Sequence, residues 1–280
     1  MAKLYRGIHG KAIRENRPLT KAELQHFTPS VFGSDKHESR AERFSPVCTY
    51  DILEQIKEES GFVPFFAVQT KVRDKTREDF TKHMLRLRRP EDFNKDLNDE
   101  IILLNANDGT SSCQLISGQF RSVCHNGLVM GSVDNNIRVR HSGDATGNVI
   151  EGVYTVLKDF DEIHDIEARM RSMKLEKRDK LQFALSAYIL KEGMPKDDDY
   201  ANLEYNPIEL LRPLRQEDRG DDLFTIFNVV QEHILGGGQK RKTGVRRTKA
   251  ITAIPANIQL NRGLWQIAKD ALDELTPKQY

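Results

Sequence analysis

The 280-residue chain carries 43 Lys or Arg against 42 Asp or Glu, a formal net charge of +1, and 38% of its residues are apolar or aromatic. That balance excludes a chain disordered throughout, and the length allows one large domain or two closely packed ones. No run reaches the ~18 apolar residues of a bilayer span, and Met1-Ala2-Lys3-Leu4-Tyr5 lacks a secretory hydrophobic stretch. Cys48, Cys113 and Cys124 are too scattered for a disulfide framework, so a cytoplasmic protein with reduced thiols and no membrane partner is expected.

Residues 1–45 are polar and broken by Pro18, Pro29 and Gly33, which reads as an arm or surface loops. A short helix is expected up to Ser60, with Ile52, Leu53 and Ile56 on one face and Gly61 ending it. The period then changes. Phe62 to Thr70 reads as a strand entering a core, and Lys82 to Arg89 alternates, with Met84, Arg86 and Arg88 on one side and Leu85 and Leu87 on the other. On this reading Arg86, Arg88 and Arg89 make the strand's outer face basic. Further strands are expected over residues 100–106, 112–116, 120–123 and 137–140. Turn signals at Asn107-Asp108-Gly109, Ser117-Gly118 and Asn126-Gly127 favour an antiparallel meander.

From Asn148 the pattern becomes helical, with apolar residues at three- and four-residue steps through Lys177. A second helix is expected over residues 178–191, stopped by Gly193 and Pro195, a third over 221–235 and a last over 261–275. The fold class is therefore α+β: a central antiparallel sheet with flanking helices and a helical C-terminal half. The divisions are 1–45, a mainly β core over 46–147, and a helical region over 148–280 that contains a basic loop at 236–250.

That loop holds the sharpest charge asymmetry in the chain. From His233 to Lys269 there are eight Lys or Arg and no Asp or Glu, so the remainder sums to about −7. Six of the eight, Lys240, Arg241, Lys242, Arg246, Arg247 and Lys249, follow Gly236-Gly237-Gly238 directly. A mobile, concentrated cationic segment suits a polyanion, because Lys and Arg replace counterions condensed on a phosphate backbone. The plainer reading is a solvated loop between two helices.

Three segments together carry a family resemblance. Asn107-Asp108-Gly109-Thr110-Ser111, then Arg121-Ser122-Val123-Cys124-His125-Asn126-Gly127-Leu128, then Arg246-Arg247-Thr248-Lys249-Ala250-Ile251 with Leu260-Asn261-Arg262-Gly263-Leu264-Trp265-Gln266-Ile267-Ala268, resemble the phage- and plasmid-associated proteins grouped as domain-of-unknown-function family 932. The resemblance spans roughly residues 40 to 275. It departs from the family pattern at Gly263, where a helix-favouring small residue is more usual. It implies a replicon-linked context rather than a mechanism, and it makes Asn107, Asp108, Arg121, His125 and Asn126 a candidate motif surface.

Neighbouring Cys124 and His125 on a strand point to opposite faces, so a thiolate–imidazole pair would need His83 or His141 brought over by the sheet. Cys113, Cys124, His125, His83, His141 and Asp108 supply ligand types without the compact spacing of a zinc site, and Asp197-Asp198-Asp199 lacks the alternation of a calcium loop. Gly236-Gly237-Gly238-Gln239-Lys240 lacks the GxxxxGK[ST] arrangement. Neither a cofactor nor a metal is expected.

The expected function is sequence-tolerant binding of DNA, single-stranded more than duplex, in phage or plasmid DNA metabolism. Lys240, Arg241, Lys242, Arg246, Arg247 and Lys249 would contact phosphates, and Arg86, Arg88 and Arg89 would extend the groove. Strand annealing is an analogy to recombination annealing proteins, and a homo-oligomer would join weak sites. Trp265 is weighed as a base-stacking residue against core packing. The alternatives are a protein-interaction or host-inhibitory factor using the same cations, and a metal-dependent enzyme whose pocket is not visible in local spacing.

Overall fold

A computed structural model describes residues 10–95, 97–121, 127–128, 137–242, 245–251 and 254–276. Contacts divide the chain into two compact units, Met1–Asp161 and Glu162–Tyr280. The boundary falls inside a long helix.

The first unit is built on an antiparallel sheet. Its strands are β1 (Gly10–Arg14), β2 (Val63–Thr70), β3 (His83–Arg88), β4 (Leu97–Asn105), β5 (Cys113–Arg121), β6 (Gly127–Leu128) and β7 (Ile137–Val139). They lie in the order β1-β2-β3-β4-β5-β6, and β7 pairs with the other end of β5. The meander expected from short spacings and turn residues is therefore present. Two readings change. Residues 10–14, read as part of an arm or surface loops, pair with β2 from Gly10↔Thr70 to Arg14↔Phe66. Ser117-Gly118 is not a turn: both residues continue β5, with Gly118 opposite Glu100, where a glycine adds no side chain beside that carboxylate.

Helices α1 (Lys21–Phe27) and α2 (Thr49–Ser60) precede the main strands, and α3 (Ala145–Ser172) follows them. Thr20 and Glu23 close a capping box on α1, and Gly61 ends α2 in the left-handed conformation at φ 72°. Ile52, Leu53 and Ile56 are buried as their spacing predicts. The early part of α3 contributes Val149, Val153 and Val156 to the same core, and Phe160 stacks on Phe62 with centroids 5.7 Å apart.

A buried polar network ties residues 28–49 to the sheet. His83 on β3 has Nδ1 2.8 Å from Ser30 Oγ and 3.2 Å from the Thr81 carbonyl, and Nε2 2.8 Å from Thr49 Oγ1. Asn105 donates to the Val47 carbonyl and to Thr49 Oγ1, and Asn107 donates to the carbonyls of Gly33 and Val47. The loop is polar in sequence, but its hydrogen bonds are spent inward.

The second unit is helical: α4 (Lys177–Glu192), α5 (Leu223–Gly236) and α6 (Ile254–Leu275) pack on one another. Glu176 and Asp179 cap α4 reciprocally, and Asp222 caps α5 through the Thr225 N–H. Phe227 is the hub, edge-to-face with Phe183 and with Trp265. Helix α6 begins at Ile254 rather than near Asn261, since Asn257 and Asn261 are buried and the Asn261 amide donates to the Asn257 carbonyl. Gly263 has a packing reason. A Cβ there would lie 2.6 Å from Leu190 Cδ1, so glycine lets α6 approach α4 closely.

Candidate nucleic-acid interface

The basic tract is a latched hairpin. Gly237 and Gly238 leave α5 with φ of 65° and 96°. A Cβ on Gly237 would stand 2.6 Å from the Lys249 carbonyl carbon and 2.7 Å from the Thr248 carbonyl oxygen, so only glycine lets the returning arm close on this point. The arms are then sewn together. Gly238 donates its N–H to the Thr248 carbonyl, Thr248 to Gln239, and Arg241 to Arg246 at 3.2 Å, while Lys240 and Arg247 face each other as an antiparallel bridge. Gln239 and Thr248 are buried, their side chains hydrogen-bond each other, and Gln239 Nε2 donates to the His233 carbonyl at the end of α5.

The same hairpin is strapped to the segment that follows α4. Lys242 donates its backbone N–H to the Glu204 carbonyl at 2.7 Å and its Nζ to the Ala201 carbonyl at 2.8 Å. Arg241 pairs with Glu204 and lies 3.9 Å from Glu192. Beneath these, Tyr188 accepts the Glu204 N–H and packs edge-to-face on Tyr205. Lys191 caps the Ile234 carbonyl, and its burial holds its pKa below the ordinary lysine value. The expectation of a tract lacking acidic partners is thus corrected: the carboxylates come from residues 192 and 204, far from the tract in sequence.

What reaches solvent is selective. Lys240, Lys242, Arg246, Arg247 and Lys249 are exposed, with Val245 at 95% exposure near the tip. Arg241 is turned toward Glu204 and Glu192 and is only partly exposed.

The sheet arginines are corrected more sharply. Arg86 and Arg88 are 1% and 4% exposed, because both faces of β3 are buried. Glu100 accepts from Arg86 Nε at 2.5 Å and from Arg88 Nε at 2.6 Å. The Arg86 guanidinium lies 3.8 Å from the Phe120 ring centroid, and that of Arg88 lies 4.3 Å from Phe65. Alternation reveals which residues share a face; it does not reveal whether that face is wet. Arg89 is half-buried, donating to the Ser60 carbonyl and lying over Phe62.

The motif surface also turns inward where it is described. Asn107 is buried in the loop-anchoring network, and Asp108 accepts from the Thr110 N–H and hydroxyl in a turn completed by Gly109 at φ 74°. Arg121 ends β5. Cys124, His125 and Asn126 lie outside the described residues. Among the described residues no three His, Cys, Asp or Glu side chains are grouped to hold a metal ion. Burial pushes the Cys113 thiol up to about 12 and His83 down to about 4. Trp265 is 2% exposed in the helical core. No described helix is long and apolar enough to cross a membrane.

The domain of unknown function DUF932 matches residues 36–265. This chain belongs to the DUF932 family. The DUF932 match takes in β2 to β7, α2 to α5 and the whole hairpin, and begins after β1 and α1. Two relatives from Escherichia coli (strain K12) are similar along nearly their whole length: "UPF0380 protein YafZ", 42% identical over 266 residues covering 94% of this chain and 95% of the relative, and "UPF0380 protein YfjQ", 41% identical with the same coverage. No solved structure matches the chain.

Proposed function

We propose that this DUF932 protein binds nucleic acid through the hairpin at 236–250, with single-stranded DNA the preferred ligand. The observation that carries the reading is Lys240 opposite Arg247 on an exposed bridge. Like charges directly across a strand pair destabilise it, so the fold spends latching hydrogen bonds to keep two cations together in water. Arg246, Lys242 and Lys249 enlarge the same field. A polyanion relieves that repulsion and releases its counterions on binding. Holding the cations on a fixed frame also lowers the ordering cost that a loose basic tail would meet.

The wider setting, DNA metabolism of a phage or plasmid, rests on the family resemblance alone. Strand annealing is a narrower form of the same proposal, and a homo-oligomer would multiply its weak contacts.

The test is titration of the purified protein against labelled single-stranded DNA, duplex DNA and RNA. Replacing Lys240, Arg246 and Lys249 by Gln should weaken binding while circular dichroism and cooperative thermal unfolding are retained. With three to five phosphates engaged, the log-affinity versus log-salt slope for single strands should be roughly −2 to −4. Equal binding by the folded variant removes the hairpin's role. No binding to any of the three nucleic acids turns the cations toward an acidic protein partner, and binding without strand pairing discards annealing only.

A further inference from the structure

We infer that Tyr200 is a base-stacking platform beside the hairpin, and that it gives the protein its preference for unpaired strands. This rests on the proposal that the hairpin binds nucleic acid, and it adds a contact of a different chemical kind. Cations grip the backbone of any polynucleotide, whereas a free aromatic face is useful only where bases are free to lie on it.

Tyr200 is 44% exposed, and among the described residues no ring or cation is stacked on it. The other aromatic candidates are occupied: Tyr50 stacks on Phe32, while Tyr188 and Trp265 meet Tyr205 and Phe227 edge-to-face. Tyr154 is exposed as well, but it belongs to the first unit and its hydroxyl is engaged by Glu59. Placement then distinguishes Tyr200. Lys242 Nζ holds the carbonyl of Ala201, the next residue, and the Lys242 N–H holds Glu204. The segment that carries the ring is thereby tied to the cationic frame through two hydrogen bonds and the Arg241–Glu204 pair.

The platform is braced locally. Asp199 accepts from the Ala201 N–H at 3.0 Å and from the Asn202 amide at 2.6 Å, fixing the short turn that carries Tyr200. Met194, 60% exposed, brings its Sδ to 4.0 Å from the Tyr200 hydroxyl, placing a polarisable group at the ring's edge. An apolar–aromatic pair adjoining a cationic hairpin combines the two elements that sequence-tolerant single-strand binders use.

The experiment compares wild type, Tyr200→Ala and Tyr200→Phe on a short labelled oligothymidylate, on the same strand carrying abasic sites, and on a duplex. Tyr200→Ala should lose roughly five- to hundredfold in affinity for the intact strand, less than twofold for the abasic strand and the duplex, and nothing in salt slope. Tyr200→Phe should bind like wild type, since the ring rather than the hydroxyl makes the contact. Equal affinity of Tyr200→Ala and wild type for the intact strand overturns the inference while the hairpin proposal stands. A loss of equal size on all three ligands also overturns it, because a stacking residue cannot act where no base is offered. Failure of wild type to bind any nucleic acid overturns both.

Discussion

Arg86 and Glu100 are joined at 2.5 Å in a site from which water is almost fully excluded, and Arg88 uses the other oxygen of the same carboxylate. One carboxylate thus serves two buried guanidiniums. Replacing Glu100 by Gln removes the carboxylate that both guanidiniums contact, and truncating one partner of a buried ionic group costs about 3–5 kcal/mol. Glu100→Gln should therefore shift the urea midpoint far down and leave binding to single-stranded DNA at the wild-type value in the folded fraction. Had these arginines been phosphate contacts, the same change would raise DNA affinity with little effect on stability.

The second prediction concerns acid sensitivity. The Thr81 carbonyl can only accept, so the arrangement around His83 is satisfied by a proton on Nδ1, with Nε2 accepting from Thr49, which itself accepts from Asn105. Protonating Nε2 would leave the Thr49 hydroxyl hydrogen with no acceptor in that arrangement. Burial, chiefly, holds the His83 pKa at about 4, below its ordinary value of 6.5. Between those values the unfolded chain binds the proton and the folded one does not, so stability rises with pH across this window. The contribution is fully present above about pH 6.5 and lost as pH falls toward 4, with a size on the order of 3 kcal/mol. Unfolding curves measured from pH 7 to pH 4 should show this slope in wild type and a flatter one in His83→Gln. Parallel slopes would sink the assignment.

The elements themselves were legible because their periods differ: an unbroken apolar run marked β2, alternation marked β3, and three- and four-residue steps marked α3. What the sequence hid was long-range. Burial of the second face of β3 decides whether Arg86 is a surface cation or a core residue, and no window around Arg86 contains that information. Glu192 and Glu204 neutralise part of the tract from outside it, so a local count of charges overstates how many cations are free. Ser117-Gly118 misled because glycine beside a small polar residue signals a turn, while here the glycine faces Glu100. Tyr200 carried no signal beyond being an aromatic residue in a polar connection.

Gly237 supplies a third prediction. Its φ of 65° and the Lys249 backbone 2.6 Å from a would-be Cβ mean that Gly237→Ala must either strain the chain or part the two arms. Strain of this kind is worth about 1–3 kcal/mol, enough to open a local structure while α5 persists. Hydrogen exchange should quicken by roughly tenfold or more at the Gly238 and Thr248 amides, which the latch protects, and remain unchanged at Phe227 and Val230. Single-strand affinity should fall with it, since the cations would have to be ordered on binding. Unchanged exchange at Gly238 would mean that the latch does not depend on this close approach.

The last prediction separates holding from contacting within the tract itself. Arg246 and Lys249 are exposed, and each phosphate contact contributes about 0.7 to the magnitude of the salt slope for a single strand. Arg246→Gln and Lys249→Gln should each reduce that slope by about this amount. Arg241 is committed to Glu204 and Glu192, so its loss removes the side-chain half of the strap to residue 204, leaving only the Lys242 N–H on the Glu204 carbonyl, without removing a group that meets phosphate. Arg241→Gln should therefore weaken binding several-fold at every salt concentration and leave the slope at the wild-type value, because the penalty is one of ordering rather than of counterion release. A slope reduced by about 0.7 in Arg241→Gln would show that the guanidinium leaves its glutamates to bind phosphate, and the distinction between a holding arginine and its contacting neighbours would be withdrawn.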